Sequence, residues 1–326
     1  MTLTETALDR EMLLVPAPLG AGTEVSALEL ERELLAPEDR APVGEGPPGA
    51  PHPLVSQVRS ALVMVALLAI GLVIQLTWVS GWVHRSAQSS LYNQFRTELA
   101  LGTAPLGAEH PALALGQPMA LITIPSIGVS QVVSEGTTGK VLTSGPGHLR
   151  STVFPGGAGT SVITGRSSSY GGPFGRIHQL RPGAQIRVIT QVGTSQFRVI
   201  AVQHGGGVVR QLVPGSARLV LETADGTSYV PSGVVSVIAN KIGPGLSAQR
   251  PPVKTVPPDQ RPLGVGTGSL WLVDLGLAVF GVVLAAAVWT WHRRGHAQAW
   301  IAFGAPLLLI WFFVAGQVTT LLPNLL

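Results

Sequence analysis

The sequence predicts an all-β domain, a barrel or sandwich, held by three transmembrane α-helices. Composition is the first sign: 46% of the 326 residues are hydrophobic and only 12% are charged, too apolar a balance for an ordinary soluble protein. Three apolar runs, each long enough to cross ~30 Å of hydrocarbon as a helix, are the second. The third is a series of short β-type segments between the first two runs, punctuated by Gly, Pro, Ser and Asp.

The first run, assigned to residues 59–83, has no charge from Ala61 to Val83. It is longer than the ~7–15 residue core of a signal peptide, so an uncleaved anchor is expected. Residues 269–291 and 299–322 form two further spans, joined by a basic turn at 292–298 that holds Arg293 and Arg294. Short Arg-rich loops stay in the cytoplasm, which puts the amino terminus inside and residues 84–268 outside. The expected location is the plasma membrane, multi-pass, with the lipid bilayer as first partner. Asp274 lies within a span at about the depth of Gln75 and close to that of Gln317, and a polar contact among these three is expected to pack the helices. The seven tryptophans are expected mostly at the headgroup layer.

Residues 1–58 hold ten of the seventeen acids before Pro51 and are rich in Pro and Gly, which predicts a largely disordered acidic cytoplasmic tail with one amphipathic stretch, Glu24 to Ala36. An extracytoplasmic connector is expected at 84–116, the β-domain at 117–243, and a Pro/Gly-rich linker at 244–268.

Several chemistries are excluded. With no cysteine in the chain there is no disulfide, no thiolate metal site and no thiol nucleophile. The histidines lack paired spacing and no cofactor motif is present, so neither a metal nor a cofactor is expected. Nucleic-acid motifs are likewise missing. Ten Lys and Arg face three acids between Gln117 and Ile242, a balance that suits an anionic wall polymer or lipid headgroups.

Strands are expected at Ala120–Ile124, Ser161–Thr164, Gln185–Gln191, Thr194–Val202, Arg218–Thr223 and Gly233–Ala239, with one short helix at Pro173–Leu180. Four fragments stand in order: LITIPSIGVSQVVSEGT (Leu121 to Thr137), SGPGHLRSTVFPGGAGTSVITGR (Ser144 to Arg166), YGGPFGRIHQLRPG (Tyr170 to Gly183) and RLVLETADG (Arg218 to Gly226). In this order they resemble the class E/F sortases of actinobacteria. The resemblance implies an all-β sortase-like barrel ectodomain on the three transmembrane helices, in a cell envelope of actinobacterial type.

It also implies a catalytic set that this chain lacks. Family members use a Cys that attacks a sorting-signal peptide, a His as acid/base and an Arg at the oxyanion. The L-x-T-C motif corresponds to Leu221-Glu222-Thr223-Ala224, so Ala224 stands for the Cys. The A-G-H-R motif corresponds to Thr164-Gly165-Arg166-Ser167, so Arg166 stands for the His, and a guanidinium with pKa above ~12 does not cycle a proton near neutral pH. The R-L-V-V strand start corresponds to Ser232-Gly233-Val234-Val235, leaving Ser232 or Gly233 for the Arg.

The expectation is therefore a sortase-like pseudoenzyme, not an enzyme, that binds an envelope protein or a sorting-signal-like peptide in a groove lined by Arg166, Thr223, Ala224 and Asp225. Two alternatives stand beside it. One is an architectural ectodomain of a membrane complex. The other is a residual hydrolase or transpeptidase with a Ser or Thr nucleophile, drawn from Thr223, Ser228 and Ser167 to Ser169, with Asp225, His148, His178 or His204 as base.

Overall fold

The computed structural model describes residues 53–102, 113–205, 211–227, 229–246, 253, 255–266, 268, 270–294 and 296–326. The expected tail helix at Glu24 to Ala36 lies outside these residues.

Eight strands form a closed barrel: β1 (Pro118–Ile124), β2 (Val129–Glu135), β3 (Gly147–His148), β4 (Gly159–Thr164), β5 (Gln185–Thr190), β6 (Gly193–His204), β7 (Ala217–Thr227) and β8 (Val230–Lys241). Around the barrel the order is β1-β2-β3-β4-β7-β8-β6-β5, and β5 closes onto β1 through Leu121↔Ile189 to Thr123↔Arg187. Alternation writes the core directly. In β5, Ile186 and Val188 point inward with no exposure while Gln185 and Arg187 face water. Ile122, Ile163, Phe197, Leu219, Leu221 and Val237 meet them in one apolar cluster.

β7 is covered on both faces. Leu219 and Leu221 face the barrel interior, whereas Ala224, near the end of the strand on the outer face, is only 9% exposed. That second covering belongs to the site described below.

β2 outreaches its two-residue neighbour β3, which leaves the Val132 main chain without a strand partner on that side. A helix supplies one. α1 (Pro53–Ile74), a π-helical turn (Gln75–Val79) and α2 (Ser80–Leu101) run on without a break. From α2, Gln88 accepts from Val132 N at 2.8 Å and donates through Nε2 to Val132 O at 3.1 Å and Ser144 O at 2.7 Å. The segment expected as a connector is thus helical as far as Leu101 and docked on the barrel, with Phe95 1% exposed.

Among the described residues the other α-helices are α3 (Gly139–Ser144), α4 (Leu270–Arg294) and α5 (His296–Leu321). Among the described residues, three stretches are long and apolar enough to cross a membrane: Val65–Leu101, Leu270–Trp291 and Trp300–Thr319. α4 and α5 approach closely where a Cβ on Gly276 would fall 2.7 Å from Val314, and α1 meets α5 where a Cβ on Gly71 would fall 2.7 Å from the Trp311 indole. Trp311 is therefore a packing residue, unlike Trp78, Trp82, Trp271, Trp289, Trp291 and Trp300, which are exposed.

The helix expected at Pro173–Leu180 is instead a chain of three-residue turns with a 3₁₀ segment at Ile177–Gln179. The apolar anchors Phe174, Ile177 and Leu180 recur every third residue and are all buried, a spacing that three residues per turn keeps on one line and 3.6 does not.

Candidate functional site

The parallel pairing of β4 with β7 brings the ends of both strands together: Thr164 pairs with Glu222, and Gly165 N donates to Glu222 O at 2.9 Å. One residue further on, each strand delivers a residue that the sequence singled out. Thr223 donates its hydroxyl to Gly165 O at 2.8 Å, and Ala224 turns its methyl to the outer face opposite Val234. Arg166 leaves β4 and folds inward with no exposed surface.

A fully buried guanidinium is costly unless every donor finds an acceptor. Nη2 donates to Gly139 O at 2.9 Å, while Nη1 donates to Ser169 Oγ at 3.0 Å and reaches Leu326 O at 3.5 Å. The Tyr170 ring lies under the guanidinium, 5.0 Å from its carbon. Neither Nε nor any carboxylate side chain closes the set among the described residues. Burial pulls the Arg166 pKa down to about 10, against a smaller upward pull from Tyr170, so the group stays cationic at neutral pH. Tyr170 itself sits at φ 50, a left-handed conformation that is strained for an aromatic residue.

The outer face of Ala224 is not open. Leu142, Leu325 and Leu326 join it in a buried apolar cluster, with Val234 and Leu263 packed against it. The groove residues Arg166 and Ala224 thus meet at one place, the segment that follows α5. Asp225 points elsewhere: its carboxylate pairs with His204 Nδ1 at 2.8 Å near the water-facing end of β7, and that contact holds the acid below the usual carboxylate range. Of the two residues assigned to the Arg position, Gly233 faces Asp225 across the ladder and Ser232 is exposed.

Hydroxyl chemistry finds little here. Ser169 Oγ donates to Leu326 O at 2.5 Å, and Ser167 and Ser168 share a contact at 3.2 Å. His148 is locked between Glu135 Oε2 and Val153 O, each at 3.0 Å, and His178 is exposed on its turn. No histidine or carboxylate is hydrogen-bonded to Thr223, Ser167, Ser168 or Ser169 among the described residues; Ser228 lies outside them. No metal-binding cluster occurs among the described residues either.

Of the three polar residues expected to pack the helices, Asp274 is exposed on α4 and Gln75 is 6% exposed at the π-helical turn. Sequence reasoning missed Gln88 and the segment after α5, neither of which carries a local motif, and it gave no role to Tyr170, which opens one of the quoted fragments.

The family model described as Sortase domain matches residues 122–232. No curated protein matches the sequence. Similar solved structures include a sortase D5 transpeptidase from Clostridium perfringens (22% identity, 49% of this chain and 99% of that one, TM-score 0.39). A sortase A lid mutant from Corynebacterium diphtheriae is 21% identical over 51% of this chain and 92% of that one, with a TM-score of 0.36. Sortase E1 from Streptomyces coelicolor, with a tripeptide in its active site, is 25% identical over 41% and 93%, with a TM-score of 0.35. With the closed eight-strand order and the family match, residues 118–241 form a barrel of the sortase fold, preceded and followed by helices long and apolar enough to cross a membrane.

Proposed function

We propose that this chain is a membrane-anchored, non-catalytic sortase-like protein of the cell envelope, whose groove holds a peptide or protein partner without cutting or joining it. The observation that carries this is Ala224, near the end of β7 where the resemblance puts the attacking thiol, in a chain without cysteine. Arg166 in the place of the acid/base histidine supports it, since a cation with a pKa of about 10 does not shuttle protons near neutral pH.

An extracytoplasmic barrel is supported by a geometric constraint. The residues after α5 bond to the loop after β4, so the end of α5 lies on the barrel's side of the membrane. α4 and α5 then cross and return, leaving the turn between them on the other side with Arg293, as the positive-inside rule asks.

The test is acyl transfer. The detergent-solubilised full chain, given a fluorogenic sorting-signal peptide and an amine acceptor, is expected to release no product above the blank. Turnover that a serine-reactive probe abolishes would replace this reading with a hydroxyl-based hydrolase.

A further inference from the structure

The residues after α5 form a built contact. Leu326 N bonds Pro323 O at 3.0 Å, closing a turn in which Asn324, Leu325 and Leu326 are 1%, 0% and 2% exposed. The receiving surface addresses them one at a time. Asn324 N donates to Gly264 O at 3.0 Å, and Nδ2 donates to Thr137 O and Arg261 O at 2.9 Å each, with Asp259 O at 3.4 Å. Leu325 O accepts from Ser167 N at 2.8 Å, and Leu326 O takes Ser169 N at 3.2 Å together with Ser169 Oγ and Arg166 Nη1.

This pattern is that of a receptor and a ligand. Three carbonyls converge on one side-chain amide, which selects a donor and rejects an acid of the same shape. Main-chain oxygens are read by two amides, a hydroxyl and a buried cation, while the leucine side chains cover Ala224. None of these contacts requires that the peptide be joined to α5.

We propose that Pro323–Leu326 is a ligand bound in cis. The surface over Ala224 is a receptor for an Asn-Leu-Leu peptide turn, filled by the chain's own segment, and it admits a free peptide of that chemistry only when the segment leaves. The proposal rests on the non-catalytic reading above. A tethered occupant competes at an effective concentration on the order of millimolar, so free peptide binds the intact chain poorly.

The experiment uses the full chain in detergent and a fluorophore-labelled, amidated Leu-Pro-Asn-Leu-Leu peptide, with anisotropy and peptide cleavage followed in parallel. Asn324→Asp, which sets a charge against three carbonyls, is expected to expel the segment and raise affinity for the peptide by about tenfold or more over wild type. Leu325→Asp, a second way to expel it, is expected to do the same should Asn324→Asp fold poorly. Adding Arg166→Met to either variant is expected to lower that affinity again, and a peptide with Asp for Asn is expected not to bind. Equal affinity of the wild type and a folded release variant, or no binding by any, would overturn the cis-ligand. Cleavage of the peptide would overturn the non-catalytic reading whatever the affinities show.

Discussion

The Tyr170 hydroxyl lies 2.7 Å from the Thr319 hydroxyl, and because Thr319 donates onward to Gly316 O at 2.7 Å, Tyr170 is the donor. On its other sides Tyr170 donates its N–H to Ser80 Oγ at 3.3 Å and stacks under Arg166. One residue of the β4 loop thereby touches α2, α5 and the buried cation.

Tyr170→Phe keeps the ring and removes that donor. The expected loss is about 1 kcal/mol, seen as a lower thermal midpoint of the solubilised chain. In a double-mutant cycle with Thr319→Val the two losses should overlap; full additivity would mean that the hydroxyls do not interact.

Gln88→Leu tests the docking of α2. It strips the Val132 N–H and C=O of their partner and removes three hydrogen bonds, so a loss of about 2–4 kcal/mol is expected. Val132 amide exchange should also accelerate. Unchanged exchange there would show that the β2 edge is protected by something other than Gln88.

Glu222 predicts a pH dependence. Burial raises its pKa, and Oε2 has no donor among the described residues. The folded chain therefore binds this proton more tightly than the unfolded chain. Its contribution is least harmful below the unfolded value of about 4.3 and grows worse as pH rises towards the raised folded value. Glu222→Gln should match the wild type near pH 4 and exceed it at pH 8 by about 1–2 kcal/mol. A gain of equal size at both pH values would remove the carboxylate as the cause.

Much of the barrel was legible because β5, β6, β7 and β8 carry inward apolar residues at alternate positions. β2 was not, since VSQVVSE is buried over its last four residues and shows no clean alternation. β3 is two residues long and is defined by the pairs of Gly147 with Ser134 and Thr164 and of His148 with Glu135 and Ile163. At the site, the motif order drew attention to Ala224 and Arg166. It gave no hint that Arg166 would be buried, or that Asn324 would reach Thr137 across 187 residues. Contacts so distant in sequence leave no local pattern to read.

The π-helical turn at Gln75–Val79 also sets how α1 faces its surroundings. A wide turn adds about one residue to the helical count, which rotates everything after it by about 100° relative to an unbroken α-helix. The carbonyl of Leu76 within it takes up the Ser80 and Tyr229 hydroxyls in place of part of the usual ladder. The stripe that α1 offers to Trp311 is thus phased independently of the stripe that α2 offers to the sheet. One rod presents two separately phased faces, and a single residue deleted from that turn would swing Gln88 away from Val132 while leaving α1 itself intact.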